Sequence, residues 1–120
     1  MNFCYDIDDE NKKDLIDLEI FQEVSDNDKK FQKEVLAVYC EEALQYICHM
    51  DEHSLDFILN KLLESNLSIG AKRFSCWCKY YIQKRKNREE IQLNEVKNNL
   101  LLLLQCTVFH VKEMLKDTTD

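Results

Sequence analysis

The scarcity of turn-forming residues constrains this sequence most: its 120 residues include one glycine, Gly70, and no proline. Tight turns between strands depend on these two residue types for backbone angles that other residues adopt poorly. A fold of many short strands is therefore disfavoured. The sequence favours a few long helices with short polar connections, and its length fits one independently folding domain.

Apolar periodicity divides the chain into five predicted helices. Their expected spans are about 15–24, 28–49, 54 to a polar break at 65–68, 68 or 69 to the basic run at 84–88, and 90–116. On the second helix, spacings of three and four predict a wide inner face that includes Phe31, Val38 and Leu44. Because short connections make consecutive helices antiparallel neighbours, the predicted fold is all-α. It is an up-down-up-down four-helix bundle with a short N-terminal capping helix.

The helical domain is expected to span residues 14–116. A flexible acidic N-terminus (1–13) would precede it, and a frayed tail (117–120) would follow it. The formal net charge of −7 argues against nucleic-acid binding, which requires a basic surface to displace phosphate counterions. The basic run at 84–88 suits a helix C-terminus, whose carbonyls carry partial negative charge, and partner docking is its alternative reading.

Six cysteines could suggest disulfides, but such frameworks belong to small secreted domains that lack a core. Hydrophobic residues make up 45% of this chain, and its polar, acidic first residues are not expected to act as a signal peptide. Cys76 and Cys78 form a C-x-C pair, but two residues apart on a predicted helix they point to different sides, which does not favour a shared metal. We therefore expect reduced thiols, no metal or other cofactor, and a cytoplasmic location.

Five consecutive leucines, Leu100–Leu104, form the longest apolar run, which is much too short to span a membrane. One helical stripe cannot hold all five. Part of the run is therefore expected to meet a second surface or remain exposed. A homodimer through this region would provide such a surface.

The most distinctive segment is Leu55–Cys78, LDFILNKLLESNLSIGAKRFSCWC. It resembles the signature of histidine-containing phosphotransfer (HPt) domains, A-H-x-L-K-G-S-S-x-x-x-G-A-x-x-L-x-x-x-C. The matching positions are Leu55, Ile58, Leu62, Ser65, Gly70, Ala71, Phe74 and Cys78. Weaker similarity extends from Phe21 to Met114 without gaps. The resemblance implies a helical bundle that docks the receiver domain or histidine kinase of a two-component phosphorelay.

The positions that carry HPt chemistry differ. Asn60 stands where the family has its phosphorylated histidine, Leu63 where it usually has a lysine, and Glu64 where it has a glycine. A carboxamide nitrogen is not a nucleophile at neutral pH, because its lone pair is delocalised. A carboxylate one turn away would also repel a phosphoryl group.

The resemblance therefore implies a pseudo-HPt protein that binds a phosphorelay partner and has no catalytic residue. Its predicted partner-binding residues are Asn60, Lys61, Leu63, Glu64, Asn66 and Leu67. The leucines in this set could instead face the core.

Two alternatives compete with this reading. His53 precedes Asn60 by seven residues and would share its stripe if the helix extended that far, so it could act as a non-standard phospho-acceptor. The chain could also be a helical adaptor or dimerisation bundle unrelated to phosphorelays.

Overall fold

A computed structural model describes residues 15–25 and 28–116, with the side chain of Lys116 excepted. Within these residues the protein is all-α, as predicted, and no strand is present. Its five helices are α1 (Leu18–Val24), α2 (Lys29–Cys48), α3 (Leu55–Ile69), α4 (Lys72–Lys86) and α5 (Leu93–Lys116). The predicted flexible N-terminus and frayed tail lie outside the described residues.

Aspartates begin the first two helices. Asp17 accepts a hydrogen bond from the Glu19 backbone N–H at 3.0 Å. Asp28 accepts bonds from the N–H groups of Lys30 and Phe31 at 3.0 and 3.2 Å. These side-chain oxygens satisfy donors that have no partner within the helix, so each helix begins directly after its aspartate.

The predicted break at 65–68 is wrong, because α3 continues through these residues to Ile69. Asn66 and Ile69 are buried, and burial of the fourth turn stabilises it against its polar composition. The fourth helix accordingly begins at Lys72, later than the sequence indicates.

Gly70 ends α3 with a left-handed backbone, at a φ of 82°. The N–H of Ala71 bonds the Asn66 carbonyl at 2.8 Å, and the N–H of Gly70 bonds the Leu67 carbonyl at 3.4 Å. This pair of bonds forms a Schellman cap, which leaves only two residues between α3 and α4. The Asp17 N–H donates to the Gly70 carbonyl at 2.6 Å, so the start of α1 lies against this connection.

One hydrophobic cluster draws side chains from all five helices and from Ile16 before α1. Helix α3 packs against α1, α2 and α4, and α5 packs against α2 and α4. The inner face of α2 is narrower than predicted: Phe31, Val38 and Leu44 are exposed. The side chains that α2 buries are Gln32, Leu36, Tyr39, Ala43 and Ile47.

The leucine run of α5 is largely accommodated within the chain. Leu100, Leu103 and Leu104 are buried. Leu101 and Leu102 are partly buried, and Leu101 packs against the core. None of the five is exposed, so the run does not by itself require a second copy of the protein.

A hydrogen bond joins a cluster of aromatic side chains on α4 to α5. The ring centroids of Trp77, Tyr80 and Tyr81 lie 5.0 to 5.7 Å from one another. Asn99 of α5 donates a hydrogen bond of 2.8 Å to the Tyr81 hydroxyl. This bond fixes the register between the two helices at a partly buried site. None of the described helices is both long and apolar enough to cross a membrane.

Candidate docking face on the third helix

The outward side of α3 carries most of the predicted binding residues. Helical spacings of three and four place Phe57, Asn60, Glu64 and Leu67 on one face, and all four side chains are exposed. Lys61 and Leu63 are partly buried at its two edges. We call these six residues the α3 outer face.

Asn60 lies at the centre of this face. Its Nδ2 group donates a hydrogen bond of 2.8 Å to the backbone carbonyl of Asp56, one turn earlier. The carboxamide is therefore held along its own helix. The central position offers amide hydrogen-bonding groups to a partner and no nucleophile.

Two exposed apolar side chains lie on either side of Asn60. Phe57 is 60% exposed and Leu67 is 49% exposed, the first one turn before Asn60 and the second two turns after it. Lys61 Nζ lies 5.5 Å from the centre of the Phe57 ring, within the range of a cation–π contact. The face thus combines apolar anchors with an amide centre, a pattern that favours burial against a protein.

The two remaining positions have different environments. Leu63 packs against the hydrophobic cluster, so it contributes to packing as well as to the edge of the face. Glu64 is exposed one turn after Asn60. Its carboxylate makes the surface beside Asn60 negative, which disfavours an approaching phosphoryl group.

Asn66 corrects the predicted set. It is fully buried, and its Oδ1 accepts a hydrogen bond of 2.5 Å from the Tyr39 hydroxyl. Its Nδ2 faces the Cys78 sulfur at 3.8 Å. Because Asn66 joins α2, α3 and α4 inside the protein, it cannot contact a partner. Burial and the neighbouring Cys78 raise the pKa of Tyr39, so its hydroxyl remains protonated and available to donate.

His53 is exposed in the turn before α3, so the condition that the helix extends to it is not met. Ser54 and Asp51 form this turn. The Ser54 N–H bonds Asp51 Oδ1 at 2.8 Å, and the Asp51 N–H bonds Ser54 Oγ at 3.0 Å. The Asp51 carboxylate accepts this bond from the Ser54 N–H and a second bond from Ser54 Oγ at 2.9 Å, and both lower the pKa of Asp51. His53 therefore belongs to the turn before α3 and does not share the helical stripe of Asn60.

An ion pair that the sequence analysis missed lies beside the face. Arg85 of α4 binds Asp56 through two hydrogen bonds, Nε to Oδ1 at 2.9 Å and Nη2 to Oδ2 at 3.2 Å. The bond from Arg85 is the main cause that lowers the pKa of Asp56, and the same bond raises the pKa of Arg85. The residues are 29 positions apart, so no local pattern could have paired them. Exposed Phe57 was also missed, although its position one turn before Asn60 could have indicated it.

The face has a second border on α2. A groove of about 350 Å³ separates the two helices there. Its lining includes Phe31, Val35 and Val38 from α2 and Ser65 and Ser68 from α3. Exposed Phe31 and Val38 extend the apolar surface beyond α3 itself.

Comparisons with known proteins add no assignment: no family model matches the chain, and neither does any curated protein or solved structure.

Proposed function

We propose that the protein is a pseudo-HPt protein. It binds the receiver domain or histidine kinase of a two-component phosphorelay through the α3 outer face, accepts no phosphate, and acts as a competitor, regulator or scaffold. One observation carries the proposal: Asn60, at the position of the family's histidine, is exposed at the centre of that face. The apolar positions of the resemblance are buried behind it, namely Leu55, Ile58, Leu62, Ala71, Phe74 and Cys78.

The proposal includes the HPt architecture, an up-down-up-down four-helix bundle of α2 to α5 with α1 as a cap. The helix contacts support it, since α2, α3, α4 and α5 each pack against two others in a closed ring. The Asp56–Arg85 pair joins the first turn of α3 to the last turn of α4, as antiparallel neighbours require. The two-residue connection at Gly70 also fits an antiparallel helix pair.

The side chains of the α3 outer face support binding without phosphotransfer. Asn60 supplies no ring nitrogen to form a phosphoramidate, and Glu64 repels an incoming phosphoryl group. Phe57 and Leu67 provide apolar area that a partner can bury at roughly 25 cal/mol per Å². A partner held here would be withheld from an active phosphotransfer protein that uses the same surface.

A cytoplasmic location belongs to the same proposal, since phosphorelay receivers would have to be accessible to the protein. The five described cysteines, Cys40, Cys48, Cys76, Cys78 and Cys106, are all free thiols, as suits a reducing compartment.

The test measures binding of purified receiver domains and histidine kinase domains to the full chain and two variants. Leu67→Glu places a charge on the α3 outer face, while Val24→Glu places one at a similarly exposed apolar position of α1, outside that face. We expect Leu67→Glu to weaken binding about 10-fold, equivalent to about 1.4 kcal/mol, and Val24→Glu to leave it unchanged. Equal effects of the two variants, or no binding of any domain, would contradict the proposal.

A phosphotransfer assay tests the second half of the proposal. The chain is incubated with a receiver domain that carries radioactive phosphate on its aspartate. We expect the receiver to retain its label apart from spontaneous hydrolysis. Acid-labile, alkali-stable phosphate on His53 would instead show an active relay protein with a displaced acceptor.

A further inference from the structure

A second surface, separate from the α3 outer face, runs along the junction of α2 and α5. Two adjoining cavities of about 580 and 440 Å³ form one groove there. Both are lined by Cys40, Leu44, Val108 and Lys112. The groove extends from Leu115 to Leu101 along α5, a rise of about 21 Å over 14 residues. This length suits one helix of about four turns.

The lining of the groove is apolar and open. Leu36, Ala37, Leu101 and Leu104 contribute to its walls. At its edge, Phe109 is 66% exposed, more than any other large hydrophobic side chain among the described residues. An exposed aromatic side chain beside an apolar groove is typical of a surface that a partner protein covers.

The charged residues that line the groove indicate which kind of partner it can bind. Lys33 of α2 and Lys112 of α5 lie on opposite walls near the Leu115 end, and neither is paired with a carboxylate of residues 15–25 or 28–116. Glu41 follows Lys33 by eight residues, about 12 Å along α2. The other end carries no charged lining residue apart from Lys112. A fitting partner therefore has acidic groups at one end and a cation about two turns further along.

A second copy of this chain matches that pattern poorly. Groove-to-groove contact would bring two copies of Lys33 and Lys112 into one interface, with one glutamate from each copy to balance them. The repulsion between like charges disfavours this arrangement. The leucine run offers little additional surface, because Leu100, Leu103 and Leu104 are already buried.

From these observations we propose that the α2–α5 groove binds an amphipathic α-helix of a partner protein. The partner presents apolar side chains at spacings of three and four, acidic residues that meet Lys33 and Lys112, and a basic residue that meets Glu41. Such helix-in-groove recognition gains affinity from the apolar stripe and orientation from the charges. The groove shares no residue with the α3 outer face, so both surfaces could be occupied at once.

The probe is a fluorescein-labelled 16-residue peptide with leucine at positions 3, 7, 10 and 14, glutamates at one end and a lysine two turns away. Its control has the same composition in an order that abolishes the helical stripe. Fluorescence anisotropy measures binding of both peptides to the full chain. We expect the amphipathic peptide to bind at least 10-fold more tightly than the control, and equal affinities would overturn the proposal.

Protein variants locate the bound peptide. Leu44→Glu should weaken binding about 10-fold, while Val38→Glu, at another exposed position of α2, should not. The double variant Lys33→Glu/Lys112→Glu should bind the original peptide, with its terminal glutamates, more weakly than the wild type does. It should bind a peptide with lysines in place of those glutamates more tightly than the original peptide. Circular dichroism checks that each variant remains helical. Undiminished binding by Leu44→Glu would overturn the proposal.

Light scattering tests the other possible occupant of the groove, a second copy of this chain. We expect the full chain to remain monomeric at peptide-binding concentrations. A dimer that Leu44→Glu dissociates and Val38→Glu does not would assign the groove to a second copy of the chain, and would overturn the partner-helix proposal.

Discussion

The hydroxyl of Tyr39 on α2 donates a hydrogen bond to Oδ1 of Asn66 on α3, inside the protein. Asn66 also places its Nδ2 group toward Cys78 of α4, so one amide connects three helices. When a buried polar group loses its hydrogen-bond partner, the folded protein is destabilised, because the group gave up its hydrogen bonds to water on folding and nothing replaces them. Asn66 therefore has a structural role inside the protein, whereas the sequence had indicated that it lies on the surface and binds a partner.

Asn66→Ala is expected to lower the free energy of unfolding by about 1–3 kcal/mol, because the Tyr39 hydroxyl is left without its acceptor. Tyr39→Phe leaves the Asn66 amide oxygen without its donor, but it should cost less because the ring stays packed and the contact between Asn66 and Cys78 is kept. The double variant should be less destabilised than the sum of the two. Urea denaturation measures all three. Strict additivity would show that the two side chains do not interact.

The Asp56–Arg85 pair should make a small, pH-dependent contribution. The pKa of Asp56 is lower in the folded protein than in the unfolded chain, where it is about 3.9. The ion pair therefore stabilises the folded protein fully above the unfolded pKa. This stabilisation is lost as the pH falls through the folded pKa. Both side chains are more than a third exposed, so the contribution should be below about 1 kcal/mol. We expect Asp56→Asn to be slightly less stable than wild type at pH 7 and equally stable at pH 2. If Asp56→Asn differed from the wild type by the same free energy of unfolding at pH 2 and at pH 7, the ion pair would not contribute to stability.

Gly70→Ala should destabilise the protein by about 1–3 kcal/mol, because a left-handed backbone is strained for alanine. An added Cβ would also lie 2.8 Å from the Asp17 carbonyl oxygen and 3.0 Å from Ile20 Cβ. Ser68→Ala, two residues earlier on an exposed helical position, is the matched control and should change stability by less than about 0.5 kcal/mol. Thermal unfolding compares them. Similar melting temperatures would show that the turn can relax.

Asn60→His alone is not expected to give efficient phosphotransfer, since Glu64 would still face the phosphoryl group and no cation would replace Leu63. Asn60→His/Leu63→Lys/Glu64→Gly should accept phosphate faster. Leu63 is partly buried, and a lysine can keep its methylene stem packed while its amine reaches water. Glycine within α3 should cost about 1 kcal/mol of stability, which circular dichroism monitors. Full activity of the single variant would refute the role of the flanking residues.

Cysteine reactivity should follow burial. Burial raises the pKa of Cys78 to about 12, so almost none of its thiol is ionised at pH 8. Cys48 and Cys76 are exposed. We expect iodoacetamide to modify these two within minutes and Cys78 only after unfolding in urea, as measured by peptide mass spectrometry. Rapid labelling of Cys78 in the folded protein would contradict its buried position.

Local patterns predicted much of the fold. Asp28 and His49 flank α2 as the sequence indicated, because capping and apolar spacing act over a few residues. The polar run Ser65–Ser68 misled, since Asn66 is stabilised by Tyr39 and Cys78, which are distant in sequence. The sequence also overestimated how much of α2 is buried. Helical spacing groups Phe31 and Val38 with the inner side chains, but both are exposed, because the neighbouring helices determine which side chains are covered.

The candidate site was predicted in part. Counting back from Gly70 along the HPt resemblance located Asn60, and the resemblance also implied Glu64 and Leu67, which are exposed on the same face. The Arg85–Asp56 pair could not be found this way, because it joins two helices at positions that neither helix specifies alone.

Trp77 gives the protein an internal optical reporter. It is the chain's single tryptophan; it packs against Tyr80 and Tyr81 of its own helix and lines a cavity between α4 and α5 together with Asn99 and Leu102. Its emission therefore reports on the α4–α5 contact, and a partner on α3 or in the α2–α5 groove should leave that emission nearly unchanged. Quenching on addition of a partner would identify a rearrangement that reaches α4.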